Sequence, residues 1–309
     1  MKVLVTGGAG YFGSIVVEGL LDNGHEVVVI DNLMYGYKDI LKKTELINKD
    51  ITEMELEPII KDVDAVIHLA AIVGDVAVDI RRDYGIKVNY MITEQLAKLC
   101  KKYDKKFIFS STCSVYGAQK DQEINEESEL YPVSVYALSK VASENSIMKL
   151  ADNNFKPIIF RMGTLFGLSH RMRFDLVINL FIGKALQEGY FTVFGGNQWR
   201  PFVHVKDASK YYIKGIESDI GGIFNIGGFN SKIIDIANTI KEKMNCKVEI
   251  RSELEDKRNY IVSSEKLKRT FGMKFEKDVE FTIEEIKSAQ VGNYRNPIYS
   301  NAKMQEAYK

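Results

Sequence analysis

Cysteine, net charge and long apolar stretches are what this sequence has least of. Its 309 residues include only 3 cysteines, Cys100, Cys113 and Cys246, which lie far apart along the chain. Their spacing matches no metal-binding pattern, and their odd number fits poorly with a framework of disulfides. We therefore expect a reducing, cytoplasmic setting. No cluster of His, Cys and carboxylate residues in the sequence indicates a metal site.

The balance of charges narrows the range of partners. Lys and Arg together number 42, as do Asp and Glu, so the formal net charge is +0. General binders of nucleic acids or membrane surfaces need a net basic field, so we expect neither partner. The chain opens on a strand-like run, so we expect neither a signal peptide nor an apolar segment long enough to span a bilayer. A local basic pocket for a phosphate stays possible.

The first motif is a glycine-rich turn between a strand and a helix. Val3 to Val5 form an apolar run, the turn covers Gly7 to Gly13, and residues 14–21 carry apolar side chains at helical spacing. In this context the glycines let the backbone approach a pyrophosphate, and the helix N-terminus stabilises its negative charge. The complete strand–turn–helix order disfavours the alternative, a glycine-rich turn that binds nothing.

An acidic residue ends the second predicted strand, which covers residues 26–31. The carboxylate of Asp31 can accept hydrogen bonds from both hydroxyls of an adenosine ribose, whereas it would repel a 2′-phosphate. No Arg follows directly after it. The sequence therefore predicts NAD rather than NADP as the cofactor.

Strands and helices continue to alternate beyond this motif. Residues 65–71 indicate a strand that runs into a turn of small residues, residues 89–102 a helix and residues 107–110 the next strand. Such alternation predicts an α/β fold with a doubly wound parallel sheet. Ligands bind such sheets at the carboxyl ends of the strands.

Hydroxyl-bearing residues mark the predicted chemistry. Thr112 follows the strand that ends near Ser110, and Tyr136 and Lys140 lie four residues apart, on one face of a predicted helix. A tyrosine titrates near 10, too high for a base at neutral pH. A cation at about 4 Å contributes about 4 kcal/mol at an effective dielectric near 20, or roughly three pKa units. Lys140 and a positive nicotinamide ring would thus make Tyr136 a base, whereas by itself the spacing also fits an exposed helix pair.

Together these motifs resemble those of extended short-chain dehydrogenases/reductases, in the NAD-dependent nucleotide-sugar epimerase/dehydratase family that includes UDP-glucose 4-epimerase. The matching positions span nearly the whole chain: Gly7, Gly10, Gly13, Asp31, Asp50-Ile51, Leu69-Ala70-Ala71, Asn89, Thr112, Tyr136, Lys140, Phe160-Arg161, residues 200–207 and residues 224–228. The resemblance implies a Rossmann domain over residues 1–166, with returning segments near 201–228. It also implies a smaller C-terminal nucleotide-sugar-binding domain over residues 167–309, and a homodimer packed through the helices near 90–102 and 134–151.

The resemblance also implies roles for individual residues. Thr112 would hydrogen-bond the sugar hydroxyl, Tyr136 would take its proton, and Lys140 would hold the nicotinamide ribose. The implied NAD-binding residues are Gly7, Gly10, Tyr11, Phe12, Gly13, Asp31, Asn32, Asp50, Ile51, Leu69, Ala70, Ala71, Asn89, Ser110, Tyr136 and Lys140. The implied substrate-binding residues are Cys113, Ser114, Thr164, Arg173, Asp175, Arg200 and Arg258.

Several side chains of the second half have two interpretations. Arg200 matches the phosphate-binding arginine of the family, and Arg258 is a further candidate. For Arg171 and Arg173, an ordinary solvated loop is as good an interpretation as a pyrophosphate site. His68 and His204 lie in strand-like runs and are predicted to be structural core histidines. Cys113 has no neighbouring base that would activate it, so we predict a small pocket-wall residue.

The residues after Thr112 distinguish members of the family. Dehydratases carry an Asp-Glu pair there and UDP-glucuronate decarboxylases keep a Glu, whereas this chain has Cys113 and Ser114. Without these carboxylates an elimination has no evident catalyst. Oxidation at one carbon remains, and the resemblance favours C4. Net 4-epimerisation is the leading prediction; a C4 dehydrogenase acting on, for example, a GDP-linked hexose or heptose and keeping NADH bound is the alternative.

Three departures from UDP-galactose 4-epimerases put that particular substrate in doubt. Val73 stands where those enzymes carry a lysine near the cofactor phosphates, and Thr164 and Asp175 each replace an Asn. A protein that only senses NAD on the same fold is a further alternative, because fold alone does not establish catalysis. The intact set of Thr112, Tyr136 and Lys140 argues against it.

Overall fold

Short runs of β-branched residues alternate with longer amphipathic segments along the chain. The computed structural model of the protein describes residues 1–35, 43–117, 123–251 and 259–307. Its strands are β1 (Lys2–Thr6), β2 (Glu26–Ile30), β3 (Glu45–Ile47), β4 (Ala65–His68), β5 (Lys106–Thr112), β6 (Glu123–Ile124), β7 (Ile158–Met162), β8 (Thr164–Phe166), β9 (Tyr190–Phe194), β10 (Trp199–His204), β11 (Gly222–Ile226), β12 (Phe229–Lys232), β13 (Lys247–Arg251) and β14 (Ile261–Val262).

Helices connect most of these strands. They are α1 (Tyr11–Asp22), α2 (Glu57–Lys61), α3 (Asp75–Ile80), α4 (Arg82–Ile86), α5 (Thr93–Lys102), α6 (Val135–Leu150), α7 (Val177–Glu188), α8 (Val205–Glu217), α9 (Ile233–Met244), α10 (Glu265–Phe271), α11 (Val279–Ser288) and α12 (Asn301–Ala307). A π-helical stretch, Lys87–Ile92, leads directly into α5. The predicted helix over residues 89–102 therefore exists, but its first turn is wound more loosely.

A seven-stranded parallel sheet forms the centre, in the order β3-β2-β1-β4-β5-β7-β11. Its strands are apolar on both faces because helices cover both: Val3 and Val5 share a core with α1 and α8, and Leu4 shares one with α5. In the register, Leu4 lies opposite Val28 on one side and Val66 on the other. The predicted α/β class, a Rossmann-type doubly wound sheet, is confirmed.

The order of the strands creates a crevice at one edge of the sheet. The chain runs outward from β1 to β2 and β3, then returns to place β4 on the other side of β1. The loops after β1 and β4 therefore leave the sheet in opposite directions, which is where such folds bind nucleotides. The glycine turn follows β1, and residues 69–74 follow β4.

Smaller sheets in the second half build a wall beside this crevice. Strand β10 lies between β8 and β12, β9 pairs with β13, and β6 pairs with β14. Helices α7, α9 and α11 pack against one another over this part. The chain also returns to the main sheet, because β11 pairs with β7 and α8 packs against α1.

Two absences hold for the described residues. None of their helices combines the length and apolarity that a bilayer crossing requires. No group of three or more His, Cys, Asp or Glu among them is arranged to hold a metal ion. All three cysteines are buried free thiols.

Candidate active site

The glycine turn brings β1, α1 and the loop after β4 closer together than side chains would allow. Gly7 has a φ of +73°, and a Cβ there would lie 2.7 Å from the backbone nitrogen of Ala70. A Cβ on Gly13 would lie 2.1 Å from the carbonyl oxygen of Gly7. Helix α1 begins after Gly10, whose position provides no side-chain cap. The first amides of α1 therefore face the crevice without a side-chain acceptor, as an anion site requires.

A Gly13→Ala substitution tests this close approach. The added methyl group would collide with rigid backbone, so we expect a loss of about 1–3 kcal/mol in unfolding free energy together with much weaker NAD binding. Denaturant titration and calorimetry measure the two effects. Gly85→Ala is the control, because its Cβ would meet only a methyl of Val78, at 3.2 Å. Wild-type NAD affinity in Gly13→Ala would contradict the proposed role of the turn.

The side chains of Tyr11 and Phe12 point away from the crevice. The Tyr11 hydroxyl donates to the carbonyl of Gly167 (2.7 Å) and accepts from the amide of Asn179 (3.0 Å). The ring of Phe12 packs edge-on against Tyr212, with 5.0 Å between the centroids. Of these two predicted cofactor residues, only the backbone atoms are therefore available to contact a ligand in the crevice.

Asp31 ends β2 at the adenosine side of the crevice. Its carboxylate accepts hydrogen bonds from the backbone amides of Ala9 (3.0 Å) and Leu33 (2.8 Å). Burial raises the pKa of this carboxyl above its ordinary value, although both amides oppose the shift. The two amides orient the carboxylate, whose remaining lone pairs suit ribose hydroxyls.

Asp50 and Asn32 lie together beside Asp31. Asp50 accepts hydrogen bonds from the Tyr84 hydroxyl (2.5 Å), the Asn32 amide (3.3 Å) and the backbone amide of Thr52 (2.9 Å). Against the effect of partial burial, these donors hold the pKa of Asp50 below its ordinary value. Ile51 next to it is buried. Tyr84, which the sequence did not single out, completes this end of the site.

The side-chain amide of Asn89 fixes the loop after β4 by hydrogen bonds to its backbone. Asn89 accepts from the backbone amide of Ile72 (2.8 Å) and donates to the carbonyl of the same residue (2.9 Å). The backbone amide of Ala70 donates to the hydroxyl of Thr6 (3.2 Å). These hydrogen bonds fix the loop of Leu69, Ala70 and Ala71 opposite the glycine turn. Asn89 therefore acts on the cofactor site by positioning this loop. Three features of the crevice fit an adenine dinucleotide. They are the open N-terminus of α1, the glycine turn that excludes side chains, and the oriented carboxylate of Asp31, which suits ribose hydroxyls.

The predicted catalytic side chains meet between α6 and the end of β5. Tyr136, Lys140 and Glu144 lie on one face of α6, spaced by four residues. Thr112, at the end of β5, lies close enough to the Tyr136 hydroxyl to oppose the rise in its pKa. The Lys140 ammonium donates to the carbonyl of Ser110 (2.9 Å) and lies 4.5 Å from the centre of the Phe109 ring.

Burial dominates the electrostatics of this pair. It raises the pKa of Tyr136, and the carboxylate of Asp75 adds to the shift. It also lowers the pKa of the Lys140 ammonium to about 7, against the nearby Glu144. In the ligand-free protein the net shift of the Tyr136 pKa is therefore upward, whereas the predicted lowering requires a positive nicotinamide together with Lys140. A positive charge from a bound nicotinamide would have to supply it.

No sequence pattern predicted the buried ion pair that Glu144, on the α6 face of Tyr136 and Lys140, forms with Arg161. Arg161 on β7 donates to Glu144 through Nε (3.1 Å) and Nη2 (2.7 Å), and both side chains are almost completely buried. Ser111 donates to the same carboxylate, and Arg161 also donates to the Tyr116 hydroxyl (2.8 Å). Arg161 matched a family landmark, but no local pattern connects it to Glu144, 17 residues away.

A carboxylate beside Tyr136 was also missed. Asp75 begins α3 and accepts a hydrogen bond of 2.6 Å from the hydroxyl of Ser134, which caps α6. Its negative charge raises the pKa of Tyr136. The site thus contains an acid, supplied by the loop after β4 rather than by the residues after Thr112.

The residues that follow Thr112 are held by the backbone. The buried thiol of Cys113 donates to the carbonyl of Arg161 (3.3 Å), and burial raises its pKa, which fits the predicted wall residue better than a nucleophile. The Ser114 amide donates to the Thr112 hydroxyl (3.1 Å). Thr164 lies half-buried in β8, opposite Phe202 of β10.

The arginines of the 168–175 loop are not solvated. Arg173 forms two parallel hydrogen bonds with Asp175 (2.9 and 3.1 Å), and its charge acts on Tyr136. Arg171 is 5% exposed. The solvated-loop alternative is therefore wrong for Arg171, whereas the Arg173 side chain is partly buried, with 12% of it exposed. Since Arg173 and Asp175 bind each other, this pair presents little net charge to a substrate.

Arg200 lies on the opposite wall of the site. It is buried, donates to the carbonyl of Trp199 (2.8 Å) and lies 5.5 Å from the centre of the Tyr260 ring. Tyr260 in turn raises the pKa of Tyr136, so this wall is close to the catalytic residues. Arg258 falls outside the described residues.

Two histidines are structural, as predicted. His68 is buried between the hydroxyls of Thr6 (2.7 Å) and Thr93 (2.9 Å), and burial lowers its pKa to about 3. His204 is buried and contacts Glu285 at 2.7 Å. Both histidines thus connect elements of the core.

Comparison with known proteins agrees with this geometry. A model of the NAD dependent epimerase/dehydratase family matches residues 3–227. The "Putative UDP-glucose 4-epimerase" of Methanocaldococcus jannaschii is 33% identical over 257 residues, which cover 78% of this chain and 82% of that protein. "UDP-glucuronic acid decarboxylase 5" of Arabidopsis thaliana is 31% identical over 269 residues, which cover 81% of this chain and 77% of that one.

Solved structures show the same architecture. UDP-glucuronic acid 4-epimerase from Bacillus cereus, in complex with UDP-glucuronic acid and NAD, matches with a TM-score of 0.81 and 28% identity. The match covers 94% of this chain and 100% of that structure.

Proposed function

Because this chain belongs to the NAD-dependent epimerase/dehydratase family of extended short-chain dehydrogenases/reductases, as an NAD-dependent enzyme, we propose that it epimerises a nucleotide-diphosphate sugar at C4. The single observation that supports this most is the placement of the Tyr136 hydroxyl beside Thr112 at the end of β5, with Lys140 on the same helix face as Tyr136. That arrangement suits removal of a proton from a sugar hydroxyl.

Each residue of the site has one task in this reaction. Thr112 orients the sugar hydroxyl, and Tyr136, as phenolate, takes its proton. Lys140, held by the Ser110 carbonyl, binds the nicotinamide ribose and stabilises the phenolate. NAD, when bound, supplies the hydride acceptor and a positive ring. With NAD held at the glycine turn, the C4 hydride would leave to the cofactor and return to the opposite face of the 4-keto sugar, and Tyr136 would return the proton to the sugar oxygen, so that the epimerisation balances without net redox change.

The missing acid pair after Thr112 supports epimerisation over elimination. Cys113 and Ser114 carry no carboxylate, and their contacts are to backbone and to Thr112. Asp75 is the acid beside Tyr136, but its carboxylate accepts from Ser134 on the protein side. The decarboxylase relative makes this distinction worth measuring directly.

A panel of UDP-, GDP-, dTDP- and CDP-sugars incubated with the enzyme in deuterated water tests the proposal. We expect one sugar to return with unchanged mass, inverted at C4, and without carbon-bound deuterium, because the hydride never exchanges with solvent. Mass spectrometry and proton NMR measure these quantities. Tyr136→Phe under the same conditions is the control for contaminating activity.

Other products would overturn epimerisation. A product lighter by two hydrogens, with NADH left on the enzyme, would establish the dehydrogenase. Loss of water or carbon dioxide, with deuterium incorporated at carbon, would establish elimination or decarboxylation. No conversion of any sugar, with NAD bound, would favour the NAD-sensing protein.

We extend the proposal to a homodimer. The helical stretch Lys87–Ile92 and helix α6 expose apolar side chains: Met91 is 56% exposed, Leu138 53% and Met148 36%. Large apolar side chains on neighbouring helices suit burial against a second copy of the chain.

A further inference from the structure

The loop that carries Arg171 is docked onto the first turn of α1. The Tyr11 hydroxyl donates to the carbonyl of Gly167, and the Ser169 hydroxyl donates to the carbonyl of Tyr11. The hydroxyls of Ser169 and Ser14 also lie 3.1 Å apart. Arg171 follows two residues later, close enough to Asp31 at the end of β2 that its charge opposes the rise in the pKa of that carboxyl.

The Arg171 guanidinium spans the crevice between two loops of the cofactor domain. It lies 5.4 Å from the centre of the Tyr35 ring, after β2. Its Nη1 donates to the side chain of Asn301 (2.9 Å), whose amide donates to the carbonyl of Val73 (3.4 Å) after β4. Its Nη2 donates to the carbonyl of Ile298 (2.8 Å). Arg171 is therefore aligned by the C-terminal segment 297–307.

This segment is itself anchored on both sides of the crevice. The backbone amide of Asn301 donates to Asp175 (3.0 Å). The side-chain amide of the fully buried Gln305 donates to the sulfur of Met34 and to the hydroxyl of Tyr35. Helix α12 also packs against α3. The position of Arg171 thus depends on a segment far away in the sequence.

Arg171 forms no ion pair among the described residues. Its hydrogen-bond partners are neutral, and within the part of the chain that the structure describes no carboxylate lies at ion-pair distance from it, although the charges of Asp175 and Asp31 act on it from farther away. The nearby Asp175 is bound by both nitrogens of Arg173. The Nε of Arg171 is buried without a hydrogen-bond partner, and burial lowers the pKa of the guanidinium to about 10. A buried, unpaired cation is costly, so an anion in the crevice would be strongly favoured.

We propose that Arg171, positioned by Asn301 and Ile298, binds the diphosphate of NAD. The open N-terminus of α1 and the guanidinium would then hold the same anion, and a fork of N–H donors matches phosphate oxygens. This arrangement would supply, from the second half of the chain, the cation that Val73 does not provide at its own position. The proposal rests on NAD dependence and not on epimerisation.

Calorimetric titration of the full chain, freed of bound nucleotide, tests the assignment with NAD and with adenosine, which lacks phosphate. For Arg171→Gln we expect NAD to bind about 10- to 100-fold more weakly, with adenosine binding unchanged. Arg171→Lys, which keeps the charge but loses the fork, should lie between. Arg295→Gln is the matched control, because this exposed arginine pairs with Glu188, and its NAD affinity should equal that of the wild type.

Two outcomes would overturn the proposal. Equal weakening of NAD and adenosine would show that Arg171 only maintains the fold of the crevice. Unchanged NAD affinity in both Arg171 variants would remove the contact. If Arg171→Gln does not fold, the Arg171→Lys variant still decides, because a diphosphate contact predicts a selective loss of NAD affinity. Failure of the 4-epimerase proposal would leave these binding results untouched.

Discussion

A Tyr136→Phe variant is expected to lose turnover by a factor of about 10² to 10⁴, the usual contribution of a general base, while it retains NAD. The hydroxyl lies beside Thr112 at the end of β5, so its removal takes away the proton acceptor without disturbing the glycine turn. The ring stays buried, so the fold should be preserved. Initial rates on the active sugar and the NAD content of the purified protein measure the two effects.

Tyr211→Phe is the matched control for this substitution. Its hydroxyl donates to the carbonyl of Met273 (3.1 Å) on the far side of α8. We expect wild-type turnover and a loss of about 1 kcal/mol in unfolding free energy, the typical contribution of one hydrogen bond. Turnover in Tyr136→Phe equal to that of this control would show that another group is the base.

A Glu144→Ala variant is expected to lose about 3–5 kcal/mol of unfolding free energy, because it leaves Arg161 as a buried, uncompensated charge. Glu144 accepts hydrogen bonds from both Arg161 and Ser111, and it lies on the α6 face that carries Tyr136 and Lys140. The same change should therefore loosen α6 against β5 and lower turnover as well. Denaturant unfolding monitored by circular dichroism measures the free energy.

An exposed ion pair provides the comparison. Asp219 pairs with Lys156 at 2.6 Å, but its side chain is 87% exposed. Asp219→Ala should lower the unfolding free energy far less than Glu144→Ala, since solvent screens such pairs. If Glu144→Ala is no more destabilised than Asp219→Ala, the buried pair does not stabilise the catalytic helix.

The sequence was most informative where function depends on neighbouring residues. The glycine turn, the acid at Asp31 and the four-residue spacing of Tyr136 and Lys140 are local patterns, because the period of a helix or the end of a strand sets their geometry. The family comparisons confirm the fold, the enzyme class and NAD. The roles of the individual site residues remain predictions that the substitutions above address.

The sequence was less informative about the burial and the pKa of side chains, which depend on their surroundings in the fold. From spacing alone, Lys140 was expected to lower the pKa of Tyr136, yet burial raises the pKa of one and lowers that of the other in the ligand-free protein. Arg171 and Arg173 allowed a solvated loop, yet Arg171 is buried and Arg173 is partly buried in an ion pair with Asp175. Desolvation depends on which segments cover a side chain, and no short pattern contains that information.

The sequence by itself determined the class of this protein, an NAD-dependent enzyme with a dinucleotide-binding α/β fold, and it predicted a tyrosine, a lysine and a threonine for oxidising a hydroxyl. Only the tertiary structure decided which distant side chains support that chemistry. It paired Glu144 with Arg161, brought Asp75 beside Tyr136 and placed Arg171 under the C-terminal helix. The physical reason is that backbone periodicity acts over a few residues, whereas the burial and pairing of charges depend on contacts between segments far apart in the chain.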